Sequence, residues 1–327
     1  MNRGSATVSS PSDTANHVWL FRGLPIALLV LANALWGSSY VVAKIALQEI
    51  PPPILAALRF GLAAVVLWLI IIARGGVRLP PRQDMLRLLA LGAVGIALSG
   101  VLGYTGVALT TATDASLLIV GEVLFTTLLA ITLIGERINR TRGIGLVIGV
   151  LGVVVLIAGG ASSAVEGGLS RALGDVLILV GLAFEAAHTV LGTRLTHRYN
   201  PLTVLTLSLT GSCLVWIPLL GWSALHGELR MPSPQAIAGV VYLALVTGVA
   251  CYLLWFAVLR RAGATVGAMS LMAQPVVGAL LGIWLLGDPV TPSTVIGAVC
   301  VVTCLFFASG GIQLAIRTSS RSAARRT

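Results

Sequence analysis

Glu122-Val-Leu-Phe-Thr-Thr-Leu-Leu-Ala-Ile-Thr-Leu-Ile-Gly135-Glu136 is answered, 152 residues later, by Gln274-Pro-Val-Val-Gly-Ala-Leu-Leu-Gly-Ile-Trp-Leu-Leu-Gly287-Asp288. Glu122 stands against Gln274, Gly135 against Gly287 and Glu136 against Asp288, and Gly145 meets Gly297 at the same shift. A shift of 150 sets Lys44 against Arg194 and Pro51 against Pro201. The repeat is thus five apolar segments long. Apolar helices share a small alphabet, so chance likeness is the competing explanation, and charge weighs against it. The loop after Glu136 carries Arg137, Arg140 and Arg142, whereas the loop after Asp288 carries no basic residue. Five is odd, so the second copy starts on the other side of a membrane. Inverted repeats of this kind are found in many secondary transporters.

Composition supports lipid as the solvent. Of 327 residues, 57% are hydrophobic and 10% charged, where soluble domains carry about a quarter charged residues. The 37 glycines suit close helix packing in a bilayer. Runs of about 20 apolar residues, the length a spanning helix needs, fall at 24–47, 54–73, 88–109, 115–134, 143–160, 176–193, 202–222, 236–259, 264–286 and 294–315. With these spans, seventeen of the 21 basic residues lie in loops on one side, and only Arg171 and Arg230 lie in loops on the other. Lys44, the only lysine, and Arg59 fall within spans. The positive-inside rule then puts both termini in the cytoplasm. The net charge of +10 is accounted for by topology, so no nucleic-acid partner is expected.

The expected fold is all-α: ten transmembrane helices as two inverted five-helix repeats, residues 24–160 and 174–315. Residues 1–20 are polar and expected to be disordered, and the first apolar run is too long for a signal peptide. Residues 316–327 form a basic cytoplasmic tail. The cysteines, Cys213, Cys251, Cys300 and Cys304, lie in apolar runs with no zinc or disulfide spacing and read as small buried hydrophobes. No cofactor is expected, and no phosphate loop for an ATP-driven pump is present.

Four motifs in order resemble the drug/metabolite transporter superfamily, specifically its EamA-type members. They are Leu35-Trp36-Gly37-Ser38-Ser39-Tyr40 followed by Lys44; Ala57-Leu58-Arg59-Phe60; Tyr252-Leu-Leu-Trp255 running to Arg260-Arg261-Ala-Gly-Ala; and Gln274-Pro275 through Gly287-Asp288. The resemblance spans residues 24–315. It implies a ten-helix fold around a central cavity, without an ATP-binding domain, moving metabolites, amino acids or drugs, often by exchange with protons. Two positions depart from the family pattern. Val123 replaces the usual proline, which leaves a kink in the fourth helix without its usual cause, and Asp288 replaces glutamate.

Ionisable groups inside a membrane are costly and are functional candidates by default. Glu122 lies roughly 10 Å deep in the fourth helix and can exchange a proton or serve as a structural acid; its mate Gln274 cannot ionise. Glu185 and His188 share a face of the sixth helix at i,i+3, as a proton relay or as a mutually satisfied pair. Arg59 sits roughly 9 Å in. It and Lys44 can snorkel to the interface, or Arg59 can take a carboxylate in a bidentate fork. Trp36, Tyr104, Tyr252 and Trp255 read as cavity-lining aromatics or as interfacial anchors. Asp114 and Asp175 read as helix caps.

The sequence therefore reads as a secondary active transporter of the bacterial inner membrane. It would export a small solute by alternating access, with protons as the candidate coupling ion and the bilayer as its other partner. A membrane-embedded enzyme and a passive channel are the alternatives. The sequence does not address oligomeric state.

Overall fold

In hydrocarbon every backbone N–H and C=O needs a partner from the chain itself, which leaves helices and closed barrels as spanning structures. The computed structural model describes residues 11–76, 79–135, 138–162, 168–196, 198–226, 231–262 and 270–308, and over these it is helical with no strand. The helices are α1 (Pro11–Ala46), α2 (Pro52–Ala73), α3 (Arg82–Leu91, Gly92–Ile96 and Ala97–Leu109 in succession), α4 (Ala112–Leu117, Val120–Leu129 and Ala130–Ile134), α5 (Arg140–Ser162), α6 (Gly168–Thr196), α7 (Pro201–Leu225), α8 (Pro234–Val241, Tyr242–Ala250 and Cys251–Ala262), α9 (Ala273–Leu286) and α10 (Pro292–Ala308). Eight are long and apolar enough to cross a membrane, and α9 and α10 are shorter apolar helices of 14 and 17 residues. The chain is a multi-pass membrane protein.

Several boundaries differ from the sequence expectation. Helix α1 begins at Pro11, inside the stretch 1–20 expected to be disordered; proline is well tolerated in a first helical turn. Helix α6 begins at Gly168, not 176, so Arg171 and Asp175 lie inside it. The buried Asp114 carboxylate receives the Arg171 guanidinium there, with Nε at 2.7 Å, and Arg171 thereby joins the packed interior. Asp175 is therefore not a cap. Nor is Asp114: the cap of α4 is Thr111, whose Oγ1 accepts from the Asp114 N–H at 3.0 Å. Glu136 and the tail 316–327 lie outside the described residues, as do residues 264–269 of the expected ninth span and 309–315 of the tenth.

Helix α4 breaks between Leu117 and Val120 although Val123 is not proline. Tight turns carry the chain across the break, with Gly121 N–H to Leu118 O at 2.8 Å and Glu122 N–H to Ile119 O at 3.0 Å. Helix α9 starts in the same way, with Gln274 N–H to Leu271 O at 3.1 Å. Pro275 falls in its first turn, where a missing N–H costs nothing. Both helices then run toward a left-handed glycine, Gly135 at φ 74° and Gly287 at φ 69°, the conformation glycine adopts at little cost.

Close backbone approach holds the bundle together. An added Cβ on Gly37 would stand 2.3 Å from Gln274 O, so α1 and α9 cross backbone to backbone. One on Gly174 would stand 2.8 Å from Gly106 O, which brings α6 equally close to α3. Helix α5 lays Gly149 and Gly152 on Cys304 and Cys300 of α10. The latter two cysteines thus serve as small packing residues. At the α1–α2 turn, Ser233 donates its N–H and Oγ to Glu49, both at 2.7 Å, which holds the exposed Glu49 carboxyl below the usual carboxylate range.

The Gly37 contact leaves no room for a methyl group, and overpacking costs about 1–3 kcal/mol. Gly37→Ala should lower the melting temperature of the detergent-solubilised protein. Gly61→Ala, with nothing within 4 Å of its added Cβ, should not. Equal melting of the two variants would contradict the α1–α9 crossing.

Candidate functional site

Eight helices surround a cavity of about 530 Å³; α5 and α10 supply none of its lining. Nine of the ten residues singled out from the sequence meet there: Trp36, Arg59, Tyr104, Glu122, Glu185, His188, Tyr252, Trp255 and Gln274. The tenth, Lys44, does not. Its Nζ donates to the carbonyls of Val107, Ala108 and Thr110 at 2.9, 2.9 and 2.6 Å, closing the C-terminal end of α3. These carbonyls are ones a helix end leaves without intrahelical partners.

The Trp-Gly pair of α1 has a clear local logic. Gly37 admits α9 and brings Gln274 beside α1, and Trp36, the preceding residue, faces the cavity. Trp36 Nε1 donates to Thr247 O at 2.8 Å. Thr247 belongs to the π-helical stretch Tyr242–Ala250, where Cys251 N–H reaches back five residues to Val246 O. Such stretches occur often at functional sites. The Trp36 ring meets Tyr252 edge-on at 5.1 Å between centroids and Trp255 at 5.7 Å, making an aromatic wall from α1 and α8.

Arg59 does not snorkel. Its Nη1 donates to Tyr104 Oη, and its guanidinium carbon lies 5.0 Å from the Phe60 ring centroid and 5.7 Å from that of Tyr104. Cation–π contact of this kind helps hold a cation away from bulk water. Arg59 Nε is buried without a partner. Glu185 accepts from Ser99 Oγ at 3.3 Å, and His188 Nε2 is buried with no partner. Glu122 occupies the first turn after the break in α4, and Gln274 the first turn of α9. The cavity also holds Tyr40, one turn after Trp36 on α1. The sequence reading passed over it, although i,i+4 spacing from Trp36 would have found it.

One end of the cavity extends to the α6–α7 turn, where Thr196 and Pro201 line it. Tyr199 in that turn donates to Asp84 Oδ2 at 2.7 Å, and Arg87 to Asp84 Oδ1 at 3.0 Å, which ties the turn to the start of α3. At the other end the lining stops at Ala43, Val107 and Ile178. Chemically, the site offers one cation, two carboxyl groups, an imidazole and an aromatic wall around a space fit for a small organic solute. Among the described residues no group of three or more His, Cys, Asp or Glu is placed to hold a metal ion.

The sequence profile of the EamA-like transporter family matches residues 23–158 and again 172–310. The chain belongs to the EamA-like transporter family. It is similar to an uncharacterized transporter of Archaeoglobus fulgidus, with 27% identity over 281 residues, covering 85% of this chain and 96% of that one. The Bacillus subtilis uncharacterized transporter YetK is 28% identical over 280 residues, covering 85% and 84% of the two chains. The Escherichia coli uncharacterized inner membrane transporter YedA is 26% identical over 256 residues, covering 78% and 80%. A solved crystal structure superposes with a TM-score of 0.60 at 19% identity, covering 88% of this chain and 98% of that one, and supports the fold. The relatives from Archaeoglobus fulgidus, Bacillus subtilis and Escherichia coli are named as transporters, not enzymes.

Arg59 is the only cation among the lining residues, so Arg59→Ala should impair anionic or zwitterionic solutes selectively in reconstituted vesicles. Equal loss for cationic solutes would assign the effect to folding.

Proposed function

We propose that this EamA-like family member is a secondary active transporter that exports a small metabolite, amino acid or drug by alternating access, coupled to protons through Glu122. One observation carries the reading. Glu122 and Gln274, which match in the sequence repeat, each lie in the first turn of a helical segment that opens on a tight backbone turn, and both line one cavity. Ten spans in two inverted halves account for this pairing, and the left-handed caps at Gly135 and Gly287 support it. Broken helices meeting near the membrane midplane are a recurrent arrangement in inverted-repeat transporters.

Two such halves can exchange packings, so that the cavity opens to each side in turn. With both termini in the cytoplasm, as the arginine distribution favours, the α6–α7 end of the cavity is cytoplasmic and the opposite end is outer. Of the matched pair only Glu122 can ionise, which makes it the coupling residue. Arg59 and the aromatic wall are assigned to substrate. The inner-membrane location follows the name of the Escherichia coli relative and the arginine-rich composition.

Glu122→Gln should abolish proton-driven transport in proteoliposomes while substrate exchange at equal pH continues. Undiminished proton-driven flux would reject Glu122 as the coupling site, and a solute recovered chemically altered would favour an enzyme. Reporter fusions at the two termini should both report a cytoplasmic location; a split result would remove the ten-span reading.

A further inference from the structure

Beyond the cavity, one turn past Val107 and one turn before Ile178, lies a charged cluster that the central site does not use. Arg171 binds Asp114, and Thr113 donates its N–H and Oγ1 to Asp288 Oδ2 at 2.7 and 2.8 Å. Thr110 Oγ1 donates to Asp175 Oδ1. Two of these bonds cross between the helix groups that flank the cavity: Lys44 of α1 onto the end of α3, and Asp288 after α9 onto the start of α4. Thr110 joins the systems, since its hydroxyl engages Asp175 and its carbonyl receives Lys44.

The charges do not balance as drawn. Three carboxyl groups share the cluster with two cations. Lys44 has spent its three protons on carbonyls, and Arg171 is committed to Asp114. Asp175 is 0% exposed and Asp114 is 1% exposed, yet Asp175 Oδ2 and Asp114 Oδ1 have no hydrogen-bond partner. Among the described residues, the groups facing Asp175 are Thr110 from α3, Asp114 from α4, the backbone of Gly160 from α5 and Arg171 from α6 itself. None of them gives Oδ2 a donor. A carboxylate oxygen shut away from water without a donor is strongly unfavourable, and the group avoids that cost by becoming neutral.

We infer that Asp175 is a second proton-binding site, separate from the cavity acids, which takes up a proton from the outer solution when the outer end closes and returns it when that end opens. The inference rests on the alternating-access reading above. Its sign follows from linkage: the closed form binds the additional proton, so acid favours closure and alkali favours opening. One linked proton changes the closed-to-open ratio by at most about tenfold for each pH unit. The transporter would therefore respond to external acidity through a site that substrate does not occupy.

The test uses the full-length chain in lipid nanodiscs. Spin labels are carried on genetically encoded ketone residues in place of the exposed Leu169 and Val290, which leaves the native cysteines intact. Pulsed dipolar spectroscopy of samples frozen across a pH series should resolve a closed and an open component. In the Glu122→Gln background, which removes the cavity coupling acid, the closed fraction should rise on acidification, and the dependence should vanish when Asp175→Asn is added. Thr113→Val removes a bond across the outer end and should enlarge the open component. Two components whose ratio ignores pH would overturn the proton site and leave alternating access standing. A single component under every condition, Thr113→Val included, would overturn both. Should Asp175→Asn fail to fold, infrared spectra of protein labelled with carbon-13 aspartate supply the answer. A protonated aspartyl carbonyl band at neutral pH that persists in Asp114→Asn supports the site, and the lack of one overturns it.

Discussion

Lipid offers the backbone no hydrogen bonds, and the structure is organised by that fact. A helix irregularity that leaves backbone groups unpaired must face something other than hydrocarbon. The break at Leu118 and Ile119, the turn at Leu271 and Met272, and the π-helical stretch at Tyr242–Ala250 all lie beside the cavity. There the side chains of Ile119, Glu122, Gln274, Leu271 and Tyr252 line the space. Helices α5 and α10, remote from the cavity, run without a break. At these three places irregular backbone and polar side chains coincide, in an interior with room for solute.

A second constraint follows from the first. Apolar side chains gain little by leaving lipid for a protein interior, so helices associate through close van der Waals contact. Glycine permits the approach: Gly37 against Gln274 O, Gly174 against Gly106 O, and Gly149 and Gly152 against the α10 cysteines. The same contacts position the chemistry. Gly37 sets the distance between Trp36 and Gln274, and Gly174 precedes Asp175, so the α3–α6 crossing also sets the reach from Thr110 to Asp175.

Periodicity and charge made much of this legible. Apolar runs located the described helices, eight of them long and apolar enough to span, and nine intramembrane polar or aromatic candidates share one cavity. Lys44 was misplaced because a cation near a helix end reads alike whether it faces solute or caps carbonyls, and the difference lies in its tertiary partners. The start of α6 was set too late for a related reason. Arg171 looks like a loop residue until Asp114, 57 positions earlier, is seen to receive it. The break in α4 was doubted because proline is absent at 123, whereas the backbone turns at Leu118 with no proline. Long-range pairing is the information that a local pattern does not carry.

Lys44 is the only lysine in a chain with 21 basic residues. Its ammonium is a compact tripod that converges on three main-chain oxygens within one helix terminus. A guanidinium is a flat fork whose donors diverge, shaped for two oxygens side by side rather than for three around a point. The two cation types are therefore not exchangeable at this position, even though either would satisfy the same electrostatic sum.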